Sequence, residues 1–336
     1  MPGERTPDRR PGSPTSGPSE LRFGVVLGVG GVLGAAWSIG ALSALESQTG
    51  LDPRKAEVLI GTSAGAILAA LLGCGVGTAV LAGHQSGVPV EGDTGELHFD
   101  YDESTSPPRP KFGLGSKGLL LNVALHPRRA TPLTALASVL PAGRGSLSAV
   151  GSLIDAAGPP GPIAWAPHPR TWVVAMDYRT GRRVVFGREG APAARLSSAV
   201  VASCSIPAWY APTTIGGRAY VDGGACSPTS LDLVAGLDLD VVYVLSPMTS
   251  FDYDDPATFW GRFERRIRRM VTKTLVREAD QVSSRGTRVV LLGPGAEDLR
   301  AIGANMMDAG RRERVFATSL RTSSAAFAAA GLANAS

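Results

Sequence analysis

The sequence predicts an α/β protein with a mainly parallel sheet, because two strand–turn–helix units follow one another near its start and a later strand ends on an Asp-Gly-Gly turn. Residues 22–27 read as a buried strand, the glycines of 28–34 as a turn, and 35–45 as a charge-free helix. The second unit comes at once: 57–60 is a short apolar strand, 61–65 a tight turn, and 66–72 a helix of small residues. Consecutive units in this order imply parallel neighbours.

The remaining elements follow along the chain. Residues 85–168 are rich in Pro, Gly and Ser and predict loops and short helices. Residues 171–177 and 183–187 alternate around Tyr-Arg-Thr-Gly and predict a hairpin. A short helix is expected at 197–203, a strand pair around 213–220, a core strand at 241–246, a last strand at 288–292 and a closing helix at 309–320. The first twenty residues hold five prolines, three glycines and five Ser/Thr, too little apolar surface to offset ordering, so they read as a flexible tail. Residues 322–336 read as a second tail. Between them, 21–321 is expected to be one domain in which 85–168 is an irregular, lid-like insertion.

Composition excludes more than it selects. With 336 residues, 44% hydrophobic, the chain can bury a sizeable core. A net charge of +4 favours anionic surfaces without choosing among them, and no nucleic-acid partner is expected. Cys74, Cys204 and Cys226 form an odd set without C-x-x-C spacing, so the reading is three buried thiols, with no disulfide framework and no metal site. The charge-free stretch 23–45 raises a signal peptide or a membrane span; its six glycines favour strand, turn and core helix. A cytoplasmic protein is therefore expected rather than an exported one.

Residues 259–277 space Trp260, Phe263, Ile267, Met270 and Val271 helically, with seven Lys/Arg against one Glu. Two readings stay open for this basic amphipathic helix. Its apolar stripe packs on the sheet, or it gives the protein a peripheral membrane contact.

Three glycine-bearing turns carry the chemistry. Gly61-Thr62-Ser63-Ala64-Gly65 fits G-x-S-x-G between an apolar strand and an Ala-rich helix, the context that holds a nucleophilic serine out of a sheet. A Ser-Asp-His triad in α/β-hydrolase order would need a histidine late in the chain. His84, His98, His126 and His168 all precede residue 169, so a group other than histidine is expected to activate Ser63. Asp222-Gly223-Gly224, at the end of a short strand, offers a carboxylate whose burial could raise its pKa enough for a base. The turn from Gly28 to Gly34 does not fit G-x-G-x-x-G, because Leu33 stands where the third glycine would fall, and it lacks a Walker lysine. Its exposed amides suit an oxyanion instead.

Taken in order, these turns resemble those of the patatin-like phospholipase family, as does Ala202-Ser203-Cys204-Ser205-Ile206-Pro207 ahead of Tyr220-Val221-Asp222. The resemblance spans about residues 22–247, with a poorly matched middle. It implies a three-layer α/β/α sandwich, Ser63 as nucleophile, Asp222 as proton acceptor, and the amides of Gly30, Gly31 and Val32 as oxyanion hole, with no cofactor. Gly28, Gly34, Gly61, Gly65, Gly223 and Gly224 would support the three motifs. The implied substrate is a lipid acyl ester of a phospholipid or lysophospholipid. Two alternatives remain: a soluble esterase or thioesterase, and a non-catalytic acyl- or membrane-binding scaffold. The family's loop usually has Gly where this chain has Val29 and Arg or Lys where it has Leu33, which bears on phospholipid preference.

Overall fold

The computed structural model describes residues 21–86, 115–161, 164–251 and 259–332. The expected tail 1–20 and residues 87–114 and 162–163 of the expected insertion lie outside the described residues, as does the chain end beyond 332.

The first unit is β1 (Phe23–Leu27) and α1 (Gly31–Thr49), and the second is β2 (Val58–Thr62) and α2 (Ala64–Gly73), followed by α3 (Thr78–Ser86). Three short helices come next, α4 (Lys117–Leu125), α5 (Pro132–Val139) and α6 (Ser148–Ala157). The hairpin of β3 (Thr171–Asp177) and β4 (Arg183–Phe186) leads through α7 (Leu196–Cys204) to β5 (Thr213–Ile215) and β6 (Arg218–Asp222). The chain closes with β7 (Val241–Leu245), α8 (Phe259–Ser283), β8 (Arg288–Leu292), α9 (Ala296–Ile302) and α10 (Arg312–Ala329).

The strands form one mixed sheet in the order β5-β6-β3-β2-β1-β7-β8, with β4 also paired to β3. The pairs from β3 through β2, β1 and β7 to β8 are parallel, whereas β4 and β6 run antiparallel to β3 and β5 antiparallel to β6. Side chains alternate between two helical layers, as the two-residue period of a strand requires. Val25, Leu27, Leu59, Val173, Tyr243 and Leu245 face α1, α2, α7 and α10. Val26, Ile60, Val174, Val242 and Val244 face Leu275, Ala279 and Val282 of α8. The fold is an α/β/α sandwich.

Two expectations change at helices. The basic helix runs from Phe259 to Ser283, longer than the sequence pattern gave. Its buried positions continue as Val271, Leu275, Glu278, Ala279 and Val282, so this face packs on the sheet; the side chains of Trp260 and Phe263 lie outside the described residues. The closing helix continues to Ala329, which removes residues 322–329 from the expected C-terminal tail. The reason is Phe327: it is 1% exposed and packs with its ring centroid 6.2 Å from that of Tyr243 on β7. An alanine-rich sequence looks uncommitted by composition, yet one buried aromatic anchors the last turns.

Phe327→Ala is therefore expected to cost about 3–5 kcal/mol in urea unfolding, the usual range for emptying a buried aromatic site. A frayed terminus would give a change near zero.

Candidate active site

Ser63 directly follows β2 and precedes the first turn of α2. Its backbone sits at φ 56°, ψ −124°, a conformation that a residue with a Cβ adopts at a cost of order 1–3 kcal/mol. The neighbours explain why it persists. A Cβ at Gly61 would collide with Gly65 and Ala66 backbone, and one at Gly65 would collide with the Leu27 carbonyl at the end of β1. The strand and the helix can meet this tightly only with glycine at both positions. The Ser63 amide donates to Ser203 Oγ at 2.9 Å, and Ser203 Oγ donates to the Val174 carbonyl at 2.6 Å. A serine of α7 thus pins the turn to β3.

Asp222 is brought in by the same strand. Thr62 pairs with Val174 of β3, and Asp222 pairs with the next residue, Ala175. Residues 159 positions apart in sequence (222 minus 63) are set side by side by this register. The Asp222 carboxylate accepts a hydrogen bond from Gly224 N–H at 2.7 Å, and the Ser63 hydroxyl lies near enough to help hold its pKa down. Burial dominates its electrostatics: desolvation pushes its pKa up to about 6, and the Ser63 hydroxyl and Gly224 amide oppose that rise without cancelling it. A buried aspartate of this kind can act as a base near neutral pH.

The glycine turn supplies donors. The Gly28 amide goes to the Leu245 carbonyl, Val29 to Pro228, Leu33 to Met306 and Gly34 to Gly30. The amides of Gly30, Gly31 and Val32 have no partner among the described residues. Gly31 adopts φ 59° and opens α1, so these free amides stand at a helix N-terminus, where negative charge is favoured. Gly31, Val32 and Ser63 line one cavity with ≈ 880 Å³ of empty space, its open mouth included, whose walls are largely apolar through residues such as Ile39, Leu68, Leu71 and Leu153.

The two departures noted in the sequence acquire physical roles. Val29 occupies the space a Cβ at Gly224 would need, so its isopropyl group packs on the Asp222 turn. Leu33 is fully buried in the core. Of the histidines, His168 binds the Ala56 carbonyl at 2.6 Å, His126 is exposed at the end of α4, His84 lines the same cavity as Ser63, and His98 lies outside the described residues. Cys74, Cys204 and Cys226 are free thiols. No group of three or more His, Cys, Asp or Glu able to hold a metal occurs among the described residues.

Sequence reading missed two charged residues that hold the site together. Arg268 is 0% exposed; its guanidinium pairs with Glu264, donates to the Pro247 carbonyl at 2.6 Å and the Thr249 carbonyl at 3.3 Å, and approaches Met306 Sδ at 3.5 Å. Pro247 fills the space beside Gly30 and Gly34, and Met306 accepts from Leu33 N–H, so Arg268 ties together both segments that flank the glycine turn. Glu278 accepts from Ser227 Oγ, Thr229 Oγ1 and Leu231 N–H, and thereby fixes the loop whose Pro228 carbonyl receives the Val29 amide. Burial raises the Glu278 pKa despite these donors. A signal existed: positions 264, 268, 271, 275, 278 and 282 recur at steps of four and three, which puts these charges on the face that carries Val271, Leu275 and Val282.

Fold and turns together define an α/β protein with a buried serine–aspartate pair beside an apolar cavity. Residues 152–235 match the family model of patatin-like phospholipases, so the resemblance read from the sequence recurs over the segment that carries Asp222, and a lipid-hydrolysing enzyme is what that family implies. The matched segment does not include Ser63. Among solved structures, VipD from Legionella pneumophila is similar at 14% identity and a TM-score of 0.37, covering 90% of this chain and 68% of that one; nothing is transferred at that distance. A comparison with curated proteins gives no match.

Two outcomes test this account. Because the folded-state pKa of Asp222 lies above its unfolded value near 3.9, the folded protein binds this proton more tightly. Stability from this group is fully present below about pH 4 and declines as pH rises through about 6. Asp222→Asn should then raise unfolding stability at pH 7 by about 2–3 kcal/mol, with the gain fading below about pH 4. Arg268→Met should cost about 3–5 kcal/mol, since it strands Glu264 and two carbonyls in a dry site.

Proposed function

We propose that the protein hydrolyses carboxylic esters of phospholipids or lysophospholipids through Ser63 and Asp222. The observation that carries the reading is the convergence of three groups: a serine at positive φ, a buried carboxylate beside it, and amides without a partner among the described residues at the rim of the serine's apolar cavity.

The steps follow from what each group can do. Asp222 takes the hydroxyl proton as Ser63 Oγ attacks the ester carbonyl carbon, and the carbonyl oxygen becomes an oxyanion against Gly30, Gly31 and Val32 N–H. Donors of this kind are worth about 100- to 1000-fold in rate each. The proton passes to the departing alcohol or lysolipid oxygen as the C–O bond breaks, leaving an acyl-Ser63 ester. Water then attacks that ester with Asp222 as base, releasing the fatty acid and returning the proton to Ser63. The apolar walls suit an acyl chain, which favours lipid esters over short soluble ones.

The proposal is tested by fatty-acid release from a phospholipid, a lysophospholipid and a p-nitrophenyl ester. Ser63→Ala and Asp222→Asn should each lower kcat by about 10⁴-fold or more while remaining folded. For the native protein kcat/KM should rise about tenfold per pH unit below the Asp222 pKa of about 6 and level above it. Retained activity in Ser63→Ala would eliminate this mechanism, and a preference for dissolved esters over vesicles would favour a soluble esterase.

A further inference from the structure

We propose that the hairpin of α4 and α5 is the face by which the protein seats itself on an anionic lipid surface. The inference rests on the lipid-ester reading for its purpose, but the binding it predicts is measurable without turnover.

Exposed apolar side chains are concentrated there. Of eight large hydrophobic residues exposed among the described residues, four belong to this hairpin: Leu121 (60%), Leu125 (65%), Leu136 (52%) and Val139 (52%). Leu121 and Leu125 stand at i, i+4 on α4, and Leu136 and Val139 at i, i+3 on α5, so each pair forms a stripe on the outer side of its helix. The inner sides are already occupied, by Leu119 on α4 and Thr134 and Ala137 on α5. A folded monomer gains nothing from apolar stripes pointing outward on two adjoining helices, and such a patch marks a contact surface.

Charge chooses the partner. Over the described residues 115–154 the chain carries Lys117, Arg128, Arg129 and Arg144 and no Asp or Glu. Lys117 and Arg128, at the start of α4 and just beyond its end, are exposed. Exposed leucines flanked on α4 by exposed Lys117 and Arg128 match an interface of acyl chains beneath anionic headgroups, whereas a protein partner would gain from charges of both signs. The basic helix α8 is less suited, since its apolar face is covered by the sheet.

The position connects the face to the reaction. Thr131 Oγ1 and Thr134 Oγ1, at the head of α5, both donate to the Ala225 carbonyl in the turn that follows Asp222, at 2.8 and 2.7 Å. Past Val139 the chain reaches Gly145, whose amide donates to the Trp209 carbonyl at 3.0 Å. Trp209 is itself 38% exposed and stacks on Tyr210, a wall of the cavity. The hairpin is thus joined, through Ala225, to the turn that follows Asp222 and, through Gly145, to the Trp209–Tyr210 segment that borders the cavity.

The experiment is sedimentation of the full-length Ser63→Ala protein with vesicles of phosphatidylcholine alone or mixed with phosphatidylglycerol. Binding should be strong only on the mixed vesicles and should weaken with added salt. In that background, Leu121→Gln with Leu125→Gln, and separately Leu136→Gln, should lower partitioning by about tenfold or more. Lys117→Gln with Arg128→Gln should lower it by roughly tenfold on mixed vesicles. In the catalytically intact protein the same substitutions should leave hydrolysis of a dissolved ester unchanged. The proposal is overturned if the parent does not bind, if the hairpin variants bind as it does, or if Arg266→Gln with Arg269→Gln alone abolishes binding. A dimer that dissociates on Leu121→Gln in analytical ultracentrifugation would overturn it in favour of a second copy of the chain. Hairpin-dependent binding without any ester hydrolysis would support the docking face while removing the catalytic reading.

Discussion

Everything at the site depends on the pairing of one strand, β3, with two others. Its parallel register with β2 ends at Thr62, and its antiparallel register with β6 ends at Asp222, on adjacent β3 residues. Since side-chain direction alternates along a strand, a shift of one residue in either pairing would turn an element over and separate the serine from its carboxylate. The register is secured from both faces, by Val173 and Ala175 in one core and Trp172 and Val174 in the other. It is also secured at the site, where the Val174 carbonyl accepts from Ser203 and leaves no room for a side chain at Gly223.

The arrangement is costly, and the surrounding packing carries the cost. A serine in a left-handed conformation, a carboxylate held out of water and three amides without backbone partners would each relax if the loops were free. Arg268 and Glu278 prevent this from a distance, each gathering several backbone or hydroxyl groups of loops that would otherwise move independently. A buried ion is a poor source of net stability, but it is an effective device for selecting one geometry among many. Here the selected geometry is that of the glycine turn.

The sequence disclosed what is local and concealed what is collective. The turns that carry Ser63, Asp222 and residues 30–32 were legible because their glycines are demanded by close approach, and such demands are written within five residues. The parallel pairing of the first two strands was legible for the same reason, through strand–turn–helix units. Arg268 was not, because a cation in a run of seven Lys/Arg reads as solvated until packing shows which face it occupies. The end of α10 was hidden in a similar way: alanine-rich composition gives no hint that Phe327 finds Tyr243 across the molecule. Residues 117–157 offered short helices without saying where their apolar faces point, a matter decided by which side the rest of the fold leaves uncovered.

The absence of a late histidine bears on how an aspartate can do a base's work. An aspartate in water, with a pKa near 3.9, is ionised at pH 7 but holds a proton too weakly to draw one from a hydroxyl. Enclosure changes this, because removing solvent penalises the charged form and brings the carboxyl to about 6, within the range where general bases operate. Among the described residues, the groups that offset this rise are the Ser63 hydroxyl and the Gly224 amide. A third strong donor or a nearby cation would lower the pKa again and return the group to its aqueous weakness. The buried Arg268 is accordingly committed to Glu264 and to backbone carbonyls. Under the proposed mechanism, keeping cations structural and away from Asp222 is what would let a serine and an aspartate suffice.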